Sequence, residues 1–190
     1  MTKSNLYIKR ITGSASKSAW STREKGMRLL WLCVYYLFFR FSPKHPFNLW
    51  RLFLLRIFGA KIEGRPFVFS STIIFAPWLL FIKDHCCLGP HTEIYNLGPV
   101  SIGERSVISQ YAYICNGTHD FTQKSMPLLV GDVEIGNDVF IGAKAVVLPG
   151  VKLEDGVLVG AGSIVTKNVD KWTVVAGNPA RYIRQREHPI

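Results

Sequence analysis

The chain has 190 residues, 48% of them hydrophobic and 19% charged, which suits one compact domain with an appendage and excludes a fibrous or disordered protein. Its formal net charge of +10 is localised: residues 1–60 carry eleven Lys/Arg against the single acid Glu24, while residues 61–190 balance at twelve and twelve. A basic segment of that kind points to an anionic surface. The sequence carries no phosphate-binding glycine loop and no nucleic-acid signature, so nucleic acid is not an expected partner.

In chain order, residues 1–20 show no regular pattern. The longest apolar run, Leu29 to Phe39, is eleven residues. As a helix it extends about 16 Å, half of a hydrocarbon core of about 30 Å. Arg40 follows at once, and no small-residue cleavage site appears, so neither a membrane span nor a secretory signal is expected. The expected location is cytoplasmic. Two helices are predicted, near 24–41 and 47–58, with Pro43 and Pro46 breaking the first. Four cysteines (Cys33, Cys86, Cys87, Cys115) show no disulfide framework and no metal spacing.

From residue 62 an aliphatic recurs every six positions: Ile62, Val68, Ile74; Ile82, Leu88, Ile94; Ile102, Ile108, Ile114; then Ile135, Ile141, Val147, Leu153, Val159 and Val165. A helix cannot keep such positions on one face, and a plain strand would alternate. The period suits a short strand plus a corner, with the aliphatic inward. Gly150, Gly156, Gly162 and Asn168, three positions on, suit a corner needing φ > 0. Three such units close a triangular coil, and coils stack at about 4.8 Å. The chain thus divides into a basic, apolar helical segment over 1–60, a β-helix over 61–169 and a basic tail over 170–190. The register slips by two residues after Ile74 and Ile94, and breaks most strongly after Ile114. That last break marks an extruded loop at 117–131.

The hexads resemble the hexapeptide-repeat family, and the resemblance implies a mainly β fold, the left-handed parallel β-helix. The stretch "NGTHD", at the break, resembles the loop of sugar and nodulation-factor O-acetyltransferases. "LLRIFGAKI", "EIYNLGPVSIG", "ISQYAYICNGTHDF" and "VVAGNPARYIRQR" are similar to acetyltransferases of colanic-acid and related exopolysaccharide biosynthesis. That resemblance implies acetyl-CoA as donor, a saccharide acceptor, and a homotrimer with sites between subunits. It makes His119 the general base and Asn116 the hold on the acceptor. It places Gly142 and Ala143 at the thioester, Ala161, Thr166 and Lys167 along coenzyme A, and Arg181 at a phosphate.

The chemistry suits those roles. A sugar hydroxyl must lose its proton during attack, and a fixed amide can steady the oxyanion. Asp120 or Glu93 could orient His119. Cys115, the last residue before the loop, reads as packing rather than a nucleophile. His85 and His91 invite comparison with gamma-class carbonic anhydrases, but both fall in corner slots pointing different ways, so no metal site is expected.

The helices have two readings. They could cap the open end of the coil, or contact an anionic membrane through apolar faces flanked by Arg28, Arg40, Arg51 and Arg56. The acceptor could accordingly be lipid-linked, with the enzyme peripheral at the inner face. A small diffusible acceptor (free sugar, serine or antibiotic), a non-catalytic trimeric scaffold and a metal hydratase stand as alternatives.

Overall fold

In the computed structural model, which describes residues 6–10, 20–43 and 45–187, the period of six folds into three parallel sheets wrapped as a prism. One sheet stacks Lys61–Ile62, Leu80–Ile82, Val100–Ile102, Val133–Ile135 and Lys152–Leu153. The second stacks Phe67–Val68, Cys87–Leu88, Val107–Ile108, Phe140–Ile141 and Leu158–Val159, and continues into Thr173–Ala176. The third stacks Ile73–Ile74, Glu93–Tyr95, Tyr113–Cys115, Val146–Val147 and Ile164–Val165.

The chain visits the three in rotation, so equivalent positions lie above one another: Ile94 pairs with Ile74 on one side and Ile114 on the other. This is the parallel stacked-coil β-helix that the spacing predicts. From Val68 to Val165 every periodic aliphatic is buried in one continuous core.

The corners explain which residues recur three positions on. His85, His91, Arg105, Tyr111, Asp138 and Lys144 adopt φ between 55° and 61°, the left-handed region that Gly150, Gly156 and Gly162 occupy in later coils. Asn168 is not in that region. Its Oδ1 instead accepts the Lys152 amide at 2.9 Å, which ties the last two coils together. His85 and His91 do not converge: His85 pairs with Asp84 at 3.3 Å, and His91 stacks on Tyr111 at 4.9 Å.

An open coil end exposes unpaired strand groups, and the N-terminal helices satisfy them. Helix α1, Thr22–Val34, opens with a capping box between Ser21 and Glu24 and runs on as a π-helical turn over Tyr35–Phe39. Helix α2 is Asn48–Ile57. Trp31 donates its indole N–H to the Ile74 carbonyl at 2.7 Å. Arg51 Nε donates to the Val68 carbonyl at 2.7 Å, while Asn48 accepts the Val68 amide at 3.0 Å and donates to the Pro66 carbonyl at 2.9 Å.

The capping reading therefore describes what these helices do at the first coil. Arg51 corrects the other reading in part. It is fully buried and also donates to Ser42 and Pro43, so it is a structural strut and not a surface cation.

At the other end, Arg181–Gln185 returns antiparallel against Thr173–Ala176. Arg186 then staples this edge by donating to the Asp138 and Gly156 carbonyls at 2.7 and 2.9 Å. The segment following the coils, expected as a basic tail, is thus an exposed strand with an anchor.

Candidate active site

Where the period breaks, the chain leaves the third coil at Cys115 and forms a hairpin of Gly117–His119 and Leu128–Val130. A third strand joins it that the sequence did not announce. Tyr7–Arg10 pairs antiparallel with Leu128–Val130, and the Tyr7 hydroxyl donates to Asp132 at 3.1 Å. Burial and the Asp132 carboxylate push the Tyr7 phenol up to about 12. The excursion is therefore held by strand pairing on both sides of Leu128–Val130, and the Tyr7–Arg10 strand is part of the scaffold of the candidate site.

His119 ends the first hairpin strand with its ring exposed. Its Nδ1 lies 2.7 Å from the Met126 carbonyl oxygen. A carbonyl only accepts, so that network assigns the proton to Nδ1 and leaves the Nε2 lone pair directed elsewhere. Met126 holds its carbonyl in place from a φ of 42°.

Two expectations need correction here. The partner of His119 is a main-chain carbonyl and not an acid. Asp120 is buried and spends its oxygens on the Thr122 amide at 3.0 Å, the Thr122 hydroxyl at 2.6 Å and Gln123 Nε2 at 3.1 Å, so it shapes the turn. Glu93 sits half-buried on the outer side of the second coil, where desolvation raises its carboxyl above the ordinary range.

Asn116 also differs from expectation. It is fully buried; its Oδ1 accepts the Leu97 and Gly98 amides at 2.7 and 3.1 Å, and its Nδ2 donates to the Pro99 carbonyl at 3.1 Å. With its carboxamide so committed, it pins the root of the hairpin and does not face an acceptor. Cys115 is 8% exposed with its thiol directed to the Gly117 carbonyl, in keeping with packing.

The residues expected to meet coenzyme A fall into two groups. Gly142 and Ala143 sit at a corner directly beneath Ala161 of the next coil. A Cβ on Gly142 would lie 2.5 Å from the Ala161 amide nitrogen, so only glycine lets the coils approach this closely. The amides of Ala143 and Ala161, both at least partly exposed, have no acceptor among the described residues, leaving two donors one coil apart.

Thr166, Lys167 and Arg181 form the second group and line one cavity of about 620 Å³. Lys171, Tyr182 and Gln185 line it too; Lys171 falls in the basic tail expected from the sequence, whereas Tyr182 and Gln185 were not expected and are brought in only by the antiparallel return of the last strand. His119 does not line this cavity. Among the described residues, no group of three or more His, Cys, Asp or Glu is placed to hold a metal.

Comparison with known proteins bears on this geometry. The family described as bacterial transferase hexapeptide (six repeats) matches residues 132–167. WcaF of Escherichia coli K12, which carries the name of a colanic acid biosynthesis acetyltransferase, is 39% identical over 157 residues, 83% of this chain and 86% of that one. A chloramphenicol acetyltransferase of Agrobacterium fabrum is 48% identical over 59 residues, 31% of this chain and 28% of its own length. The hexapeptide-repeat acetyltransferase VCA0836 of Vibrio cholerae, solved with acetyl-coenzyme A, shares the fold at a TM-score of 0.79. That match has 20% identity and covers 94% of this chain and 97% of the other. On the extent and identity of the WcaF match, together with the repeat match, the chain belongs to the hexapeptide-repeat acetyltransferases.

Proposed function

We propose that this protein transfers an acetyl group from acetyl-CoA to a hydroxyl of a saccharide during assembly of a surface polysaccharide. The observation that carries the reading is the His119–Met126 bond at 2.7 Å, which fixes the tautomer that a general base requires. Nε2 takes the proton of the acceptor hydroxyl as its oxygen attacks the thioester carbonyl. The unpaired amide of Ala143 steadies the oxyanion, and the protonated imidazole returns its proton to the departing thiolate. No bond to the enzyme forms, because holding both substrates supplies proximity.

Lys167 and Arg181, in one cavity with Thr166, suit the phosphates of coenzyme A. His119 lies outside that cavity, which supports a homotrimer whose sites pair the hairpin of one subunit with the coil corners of its neighbour. The match to the polysaccharide enzyme spans 157 residues against 59 for the antibiotic enzyme, so a saccharide acceptor is favoured over a small diffusible one.

The finer part concerns place. No helix of the described residues is long and apolar enough to cross a membrane. Yet Leu30, Leu37, Phe38, Phe41, Phe53 and Ile57 on and beside the capping helices are each more than half exposed. Together with the positive charge of residues 1–60, they suit peripheral docking on an anionic bilayer, where a lipid-linked acceptor would be met. Mass spectrometry of the host polysaccharide with and without this gene tests the function: loss of one acetyl group per repeat is expected, and an unchanged polymer overturns the saccharide reading.

A further inference from the structure

A groove of about 440 Å³ separates α1 from the first coil, within the size range of small-molecule sites. Leu32 and Tyr36 line it from the helix side, and Ile73 and Phe75 from the coil. Lys25, Arg28 and Arg40 are the charged residues that line it, and no carboxylate does. The Lys25 and Arg40 side chains make no hydrogen bond or ion pair among the described residues, and Arg28 makes only ring contacts, 3.7 Å from the Phe75 centroid and 4.8 Å from Trp20. Burial lowers the Arg28 guanidinium from its ordinary range, more than the nearby Glu24 carboxylate, which does not line the groove, restores it. An apolar slot with cations and no acid complements an amphiphile with an anionic head.

The groove also has a direction. Lys25 and Arg40 stand about 20 Å apart along the helix. Beside Arg40 lie the exposed Leu37, Phe38 and Phe41. From the Arg28 end a column of half-buried rings climbs the third sheet: Phe75 to Tyr95 at 4.8 Å, then Tyr95 to Tyr113 at 6.2 Å. Tyr113 belongs to the strand from which the His119 hairpin departs, two coil spacings or about 10 Å above Ile73.

We propose that this groove holds the hydrocarbon chain of a single-chain lipid phosphate, with its phosphate at Lys25 and Arg28, and that this lipid carries the saccharide acceptor up the ring column. The inference rests on the acetyltransferase reading for what the lipid carries, but not for whether the lipid binds.

Calorimetric titration of the full chain with farnesyl phosphate, farnesol and inorganic phosphate tests it. Farnesyl phosphate should bind at least tenfold more tightly than farnesol, with no heat from phosphate alone. Lys25→Ala with Arg28→Ala should weaken it tenfold or more, and Ile73→Trp, which fills the slot from the coil side, should abolish it. Coenzyme A titration and sedimentation of the same variants control for folding and assembly. Equal binding of farnesol and farnesyl phosphate, or binding undiminished in Ile73→Trp, overturns the groove. So does a change in oligomeric mass with Ile73→Trp, which would give the groove to a second copy of the chain. Failure of the wild-type protein to bind coenzyme A would remove the acetyltransferase reading while leaving the farnesyl phosphate result to decide the groove.

Discussion

His119 Nδ1 and the carbonyl of Met126 are joined at 2.7 Å across the hairpin, so among the described residues the candidate base is oriented by the main chain and by no side chain. His119→Ala should lower kcat by roughly 10²–10⁴ and leave coenzyme A affinity near its wild-type value. Asp120→Asn should act as a loop variant, with a lowered melting temperature and a kcat well above that of His119→Ala. Steady-state kinetics and a coenzyme A titration check both; turnover of His119→Ala within twofold of wild type would remove the residue from its role.

Lys167 and Arg181 line one cavity, and their charges are expected to act on binding more than on chemistry. Lys167→Ala and Arg181→Ala should each raise the acetyl-CoA KM more than they lower kcat. Dephospho-coenzyme A should lose affinity for the wild type but little more for the variant that has lost its phosphate contact. If it separates neither variant from wild type, the contact with the 3′-phosphate is wrong.

The indole of Trp31 satisfies the Ile74 carbonyl at the open edge of the first coil. Trp31→Phe keeps most of the apolar packing but leaves that buried carbonyl unpaired, at a cost of about 1–3 kcal/mol. Arg51→Ala should exceed it, because it orphans groups at Val68, Ser42 and Pro43 at once. Urea unfolding measures both, and a Trp31→Phe midpoint equal to wild type would show that the cap bond contributes nothing.

Glu93 gives a pH signature. Desolvation raises its folded-state pKa above the ordinary 4.5, so the folded protein holds this proton more tightly than the unfolded chain does. Its contribution is thus fully present below 4.5 and is lost as pH rises through the folded value. Glu93→Gln, which cannot ionise, should melt higher than wild type near pH 8, with the difference shrinking toward pH 4. A constant offset across that range would show that Glu93 ionisation is not what distinguishes the two proteins. Acceptor KM measured on the same variant reports separately on a substrate contact.

The charge of residues 1–60 predicts salt-sensitive co-sedimentation with vesicles containing anionic lipid and weak binding to neutral ones. Phe41→Ser with Phe53→Ser, at positions 79% and 51% exposed, should reduce it without the loss of fold that truncating the cap would bring. Equal binding to both vesicle types, or none to either at low salt, leaves the helices as caps alone.

The sequence determined the coil by itself, because a period of six is a local property. Each aliphatic from Val68 to Val165 sits where its spacing put it, and the corner slots at His85 and His91 carry the left-handed φ that position demands. His119 was legible as well, since it stands where the period breaks.

Its surroundings were not, because they join residues that the period does not relate. The partner of His119 is a main-chain carbonyl, which has no residue type to read. Asn116 and Asp120 are polar residues beside a catalytic candidate in sequence, yet burial turns both inward to hold the loop. Arg51 reads as one more cation of a basic helix until the open coil edge takes its hydrogen bonds. Tyr7 meets Asp132 from 125 residues away, a pairing decided only when the hairpin offers a free edge to the N-terminal strand. Local spacing fixed which residues face the core; only the closing of edges in three dimensions decided which polar groups stay free for chemistry.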